Sequence, residues 1–162
     1  MSSDLAHDGR RVDVEGHNEQ TGVEIDVAHW VSLAAHALDA EGVGGDAELS
    51  LLFVDETVIA GLNEQYMGEA RPTDVLAFPL DEVDQGPSVG SALGVPTLLG
   101  DVVVCPAVAA RQAPDHGSTL DDELALLVVH GVLHVLGHDH ADETETAAMQ
   151  ARERHILDTF GP

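Results

Sequence analysis

Residues 118–140 read STLDDELALLVVHGVLHVLGHDH, and the apolar run inside them sets the architecture. From Leu124 to Leu136 nearly every side chain is apolar, so a helix here has no face suited to water and belongs at the centre of a domain, against a sheet. Ser118 or Thr119 can cap its start, and Asp121, Asp122 and Glu123 complement the dipole in its first turn. Gly137 ends it, because a glycine just past the last helical residue takes the left-handed conformation that turns the chain back. His130 and His134 interrupt the run four residues apart. On a helix that is about 400° of rotation, so both imidazoles leave one face about 6 Å apart along the axis. The turn at Gly137 lets His140 fold back toward them. Three neutral imidazoles with a fourth position open form the donor set of a catalytic zinc. The alternative is a buried helix whose histidines are satisfied by backbone carbonyls or by one another, which leaves three imidazoles desolvated without a shared partner.

Outward from this helix, periodicity marks the other elements. Val12 and Val14 alternate with acids as a short strand, and Val27, Trp30, Val31, Ala34 and Leu38 fall at helical spacing before the glycine-rich stretch from Glu41 to Asp46. Leu49, Leu51 and Phe53 alternate as a strand. Ile59, Leu62 and Tyr66 share a face of the next helix, and Pro72 resets the chain for a strand over Val75–Phe78. Between Pro79 and Leu98 the composition predicts a loop without sustained period. Leu99–Cys105 is a β-branched run suited to a strand buried on both faces, and Pro106 opens a short helix through Gln112. A last helix runs from about Glu143 to Thr159 with Met149 and Ile156 on its buried side. This order predicts an α/β (α+β) fold: a small mixed sheet of about four strands with helices, the histidine helix at its centre. Residues 1–10 read as a disordered tail and 11–162 as a single domain.

Composition narrows the function. Thirty Asp and Glu stand against six Lys and Arg, all of them arginine, for a net charge of -24 in 162 residues. Such a surface repels nucleic acid and anionic membranes unless its arginines cluster or salt is high. A salt-rich cytoplasm and a GC-rich genome explain the acidity equally well. Cys105 is alone, so no intrachain disulfide forms, and a reducing compartment is expected. The N-terminus holds no apolar signal segment, and no stretch reaches the roughly 20 apolar residues of a membrane span. The expected location is the cytoplasm, with no membrane partner.

The spacing of His130, His134, Gly137 and His140 is that of the metzincin proteases, H-E-x-x-H-x-x-G-x-x-H, but Gly131 stands where the glutamate belongs. That glutamate is the general base of peptide hydrolysis, so a protease is excluded and no residue is assigned as the base. Gly131 costs roughly 1 kcal/mol in a helix interior, and either tight packing on the sheet or close approach of substrate accounts for it. Asp139 is a nearby carboxylate, as a base or as the acceptor of an imidazole N–H behind the metal; the second role is preferred. His138 reads as an exposed turn residue. His7, His17, His29, His36, His116 and His155 show no ligand spacing.

HGVLHVLGHDH (His130–His140) resembles the H-G-x-L-H-x-x-G-(Y/H)-D-H signature of the YbeY family of bacterial metal-dependent endoribonucleases. PTDVLAFP (Pro72–Pro79) is similar to that family's P-T-D/N-V-L-S-F-P block, and LGDVVVCP (Leu99–Pro106) to its L-G-D-I-x-I-C/S-P strand. The three blocks lie in register over roughly residues 12–159. The resemblance implies one Zn2+ held by His130, His134 and His140, or another divalent transition metal, since three histidines also accept nickel, copper or cobalt. It implies cleavage of single-stranded RNA, maturation of the 3′ end of small-subunit (16S) ribosomal RNA and ribosome quality control. The partners implied are ribosomal RNA, the ribosome and small-subunit assembly proteins. Water or an RNA 2′-OH can be the nucleophile. Family members often carry an arginine after the tyrosine that precedes the P-T-D/N block; here Met67 follows Tyr66, and Arg71 is the nearby substrate-binding candidate, as a phosphate contact or as a plain surface arginine. The alternative function is a ribosome-assembly factor whose metal mainly stabilises the fold. The acidity favours delivery of RNA by the ribosome or a protein partner over unaided capture.

Overall fold

Strict alternation along β2 (Ala47–Phe53) puts Ala47, Leu49, Leu51 and Phe53 on one buried face, and the sheet is built around this strand. The computed structural model describes residues 12–43, 46–80, 97–138 and 142–160. Around β2 lie β1 (Val12–Asn18), β3 (Val75–Pro79) and β4 (Thr97–Val104), in the order β1-β2-β4-β3. β1 and β4 both run parallel to β2, and β3 pairs antiparallel with β4 at the edge. The parallel partners need crossovers, which α1 (Val27–Ala40) and α2 (Glu56–Met67) help supply. After β4 come α3 (Pro106–Gln112), a 3-10 turn (Pro114–His116), α4 (Leu120–Val135) and α5 (Glu143–Phe160). The expected mixed four-stranded sheet and its helices are present. β1 is longer than the alternation of Val12 and Val14 indicates, extending to Asn18.

Alternation in β4 divides the core. Val102 and Val104 face a large cluster with Trp30, Leu33 and Leu38 of α1, Leu124, Val128 and Leu133 of α4, and Met149 and Ile156 of α5. Val103 faces a smaller one with Ile59 of α2, Leu76 of β3 and Val108 of α3. The β-branched run is therefore buried on both faces, as its composition predicts. α4 packs against α1, α3, α5, β3 and β4, the central place its apolar circumference requires. Thr119 caps it, its Oγ1 accepting from the Asp122 N–H at 3.1 Å. Glu123 turns back to accept from Ser118 Oγ (3.1 Å) and to pair with His116 Nδ1 (3.0 Å).

Tyr66 departs from the helical pattern. Ile59 is fully buried, but Tyr66 is 57% exposed and rests edge-on against Phe78 at 5.0 Å between centroids, because the last turn of α2 leaves the small core and reaches the sheet's edge strand. Residues 1–11 and 81–96, and with them the expected tail and most of the expected loop, lie outside the described residues. No described helix is long and apolar enough to cross a membrane.

The contact between α4 and β4 is set by Gly131. A Cβ there would lie 2.5 Å from Val102 Cγ1 and 3.4 Å from Val75 Cγ2, so close packing on the sheet requires glycine. A stiff valine cannot yield that space cheaply. Gly131→Ala is expected to destabilise the fold by about 1–2 kcal/mol, overpacking outweighing the gain in helix propensity. Pairing it with Val102→Ala should remove the clash, which a double-mutant cycle in urea unfolding checks.

Candidate metal centre

α4 closes with a Schellman turn: the Gly137 N–H donates to the His134 carbonyl at 3.0 Å and the His138 N–H to the Leu133 carbonyl at 3.0 Å. Gly137 has φ 102°, the positive value that its place after the helix predicts. One turn and two turns back, His134 and His130 leave the same face, and their Nε2 atoms converge to 3.1 Å. Behind them, His130 Nδ1 meets Glu153 Oε2 of α5 at 2.5 Å, with the Glu153 side chain 8% exposed. A carboxylate acceptor keeps the ring proton on Nδ1 and leaves the Nε2 lone pair facing His134. Two ligands on one tetrahedral zinc, at bonds of about 2.0–2.1 Å, stand about 3.3 Å apart. The donor set and its spacing therefore fit a metal.

His140 and Asp139, the third expected ligand and the expected carboxylate behind the metal, lie outside the described residues. Among the described residues no third histidine, cysteine or carboxylate joins the pair in a metal-holding group. The acceptor seen behind His130 is Glu153. Sequence reasoning missed it, although its position was legible: Met149, Glu153 and Ile156 are spaced four and three apart, so an acid sits on the buried stripe of α5.

The imidazole pair opens on a groove of about 370 Å3 whose walls include Met67, Asp74, Val75, Ala77 and Gly131. Asp74 supplies the carboxylate of this groove and was also missed. It belongs to the PTDVLAFP block, and it comes to line the same groove as the histidines through the pairing of β3 with β4 and the packing of α4 on both, contacts distant in sequence. Gly131 both packs on Val102 and lines the groove, so the two readings of that glycine are compatible.

The family model described as Endoribonuclease YbeY matches residues 15–161. The chain belongs to this family. It is 52% identical over 141 residues to the endoribonuclease YbeY of Salinispora tropica, covering 85% of this chain and 90% of that one. It is 45% identical to that of Beutenbergia cavernae, covering 88% and 94% respectively. Its fold is similar to the solution structure of a Thermotoga maritima protein, with a TM-score of 0.59, 26% identity and coverage of 91% of this chain and 88% of that one.

In this YbeY-family chain Arg71 is outside the groove lining, and its Nε and Nη2 both contact Glu69 Oε1, at 2.9 and 2.8 Å. Met67, 53% exposed, lines the groove at the position where the resemblance leads one to expect an arginine. His138 differs from its expected exposure. Its Nε2 donates to Glu41 Oε1 at 2.9 Å while Arg152 Nε donates to Glu41 Oε2 at 2.8 Å, so one carboxylate ties the end of α1 to α5 and to the turn after α4. The reason is the Schellman turn, which folds His138 back over α1 rather than out to water. Burial raises the Glu41 pKa, but hydrogen bonds from Arg152 and His138 outweigh it and hold the carboxyl below its ordinary 4.5. A depressed carboxyl stabilises the fold fully above its unfolded pKa and loses that contribution as pH falls through the folded one. Glu41→Gln should therefore be less stable than wild type at about pH 7, with the difference narrowing as pH falls through the lowered carboxyl pKa, read from urea unfolding across an acid pH series.

Proposed function

We propose that this YbeY-family chain is a metal-dependent endoribonuclease that cuts single-stranded ribosomal RNA during maturation of the small-subunit 3′ end and in ribosome quality control. His130, His134 and His140 would hold one Zn2+ or another divalent transition metal. Family membership supplies the reaction class, hydrolytic cleavage within RNA. The observation that carries the rest is the pair of Nε2 atoms 3.1 Å apart, backed by a buried carboxylate and opening on a groove.

A bound metal would polarise a phosphoryl oxygen and lower the pKa of a coordinated water. The protein's own groups supply orientation and proton transfer. Glu153 fixes the His130 ring through Nδ1, so that its Nε2 needs no reorganisation to act as a ligand. Asp74, in the same groove, takes the proton from the attacking hydroxyl, whether of water or of the RNA 2′ position. Gly131, where a metzincin carries its base, leaves that role to a group just before β3. The strongly acidic surface makes presentation by the ribosome or an assembly protein in the cytoplasm the route by which RNA reaches the groove.

Zinc-loaded protein should cut a single-stranded oligoribonucleotide covering the small-subunit 3′ end, and His134→Ala should lose both the metal and the cutting. Equal cutting by the His134 variant would contradict the proposal, and inert wild type whose melting temperature rises with zinc would favour an assembly factor. Asp74→Asn should retain metal but lower kcat by about 100-fold, within the range of general base catalysis.

A further inference from the structure

Beyond the histidine pair, the described lining of the groove is mostly apolar and includes no lysine or arginine, so it offers nothing to hold the phosphates that flank the bond to be cut. Three of the arginines are already committed to carboxylates: Arg71 to Glu69, Arg111 to Glu56 and Arg152 to Glu41. With a net charge of -24, release of counterions from RNA cannot be the main source of affinity. What the groove does offer is an apolar wall and a strand edge. The Asp74 carbonyl accepts from the Cys105 N–H at 2.9 Å and the Leu80 N–H donates to the Leu99 carbonyl at 3.1 Å, so the even-numbered positions of this strand turn their backbone groups toward β4. By the alternation of an antiparallel ladder, Val75 and Ala77 turn theirs outward, and both line the groove. Met67, at the end of α2, stands over the same groove as an exposed thioether.

We infer that this groove is a nucleobase subsite: it takes the base adjacent to the bond that is cut, with its ring against Met67 and its edge on the outward N–H and C=O groups of Val75 and Ala77. The inference rests on the endoribonuclease reading and gives that reading a basis for binding without cations. Unpaired bases are held in this way elsewhere, by stacking surfaces together with hydrogen bonds to their edges, whereas a paired base has its edge occupied. The subsite therefore selects single strands. Away from the histidine pair, where the bond is cut, the wall of Met67, Val75 and Ala77 brings no positive charge to a further phosphate, and a neutral base is its compatible occupant.

The test uses zinc-loaded full-length protein and a short oligoribonucleotide cut at one bond, with each nucleotide in turn replaced by an abasic one. One position beside the cut should lower kcat/KM about tenfold or more, the scale of losing one stacked base, and the others should have little effect. Met67→Ala should raise KM with kcat retained, and abasic substitution at the sensitive position should then add little. Raising salt from about 50 to 200 mM should leave KM flat or lower it, because screening relieves repulsion between two polyanions. Equal cutting of every abasic oligonucleotide, or a KM that climbs steeply with salt, would overturn the subsite. Equilibrium binding of the labelled intact and abasic oligonucleotides reads the subsite independently of cleavage. Weaker binding at one position without any cutting would uphold the subsite and count against the nuclease.

Discussion

A helix that is apolar around most of its circumference must be enclosed, and enclosing α4 determines the rest of this molecule. Five elements, α1, α3, α5, β3 and β4, close on it. Gly131 permits the closest of these approaches, with Val102 of β4 occupying the space a side chain would need. The enclosure is incomplete where His130 and His134 emerge beside the edge strand, and there the groove forms. The site is thus a gap that the packing of α4 leaves beside the edge strand.

Electrostatics follow from the same arrangement. Two buried or half-buried acids on neighbouring elements turn toward histidines around α4: Glu153 toward His130 and Glu41 toward His138. Each desolvated carboxylate needs a donor, and an imidazole N–H or an arginine supplies it. The consequence differs between them. Glu153 orients His130 so that its Nε2 faces that of a second imidazole, the donor pair a cation would use, whereas Glu41 satisfies itself with His138 and Arg152 and acts as a clasp across α1, α5 and the turn.

Most of the architecture was legible because each element carries its own period. Leu49, Leu51 and Phe53 announce β2, the β-branched run announces a doubly buried β4, and Gly137 marks the end of α4. What failed was reasoning about positions whose environment is made by distant chain. Tyr66 kept helical spacing with Ile59 yet sits past the limit of the small core. His138 is held by Glu41, 97 residues away. Glu153 lies in a helix whose sequence is mostly polar, so an acid on its buried stripe does not stand out. A hydrogen bond that crosses between helices leaves no mark in sequence proximity. The family blocks located the histidines and Asp74, but only pairing in space put them around one groove.

The account stands on the claim that Glu153 prepares His130 to bind a metal. The most direct measurement is the zinc affinity of Glu153→Gln against wild type by competition with a chelator, alongside circular dichroism to confirm that the fold persists. Loss of the carboxylate behind a ligating imidazole should weaken zinc binding by about 10–100-fold, as is usual for such partners. Undiminished affinity in a folded variant would contradict the claim.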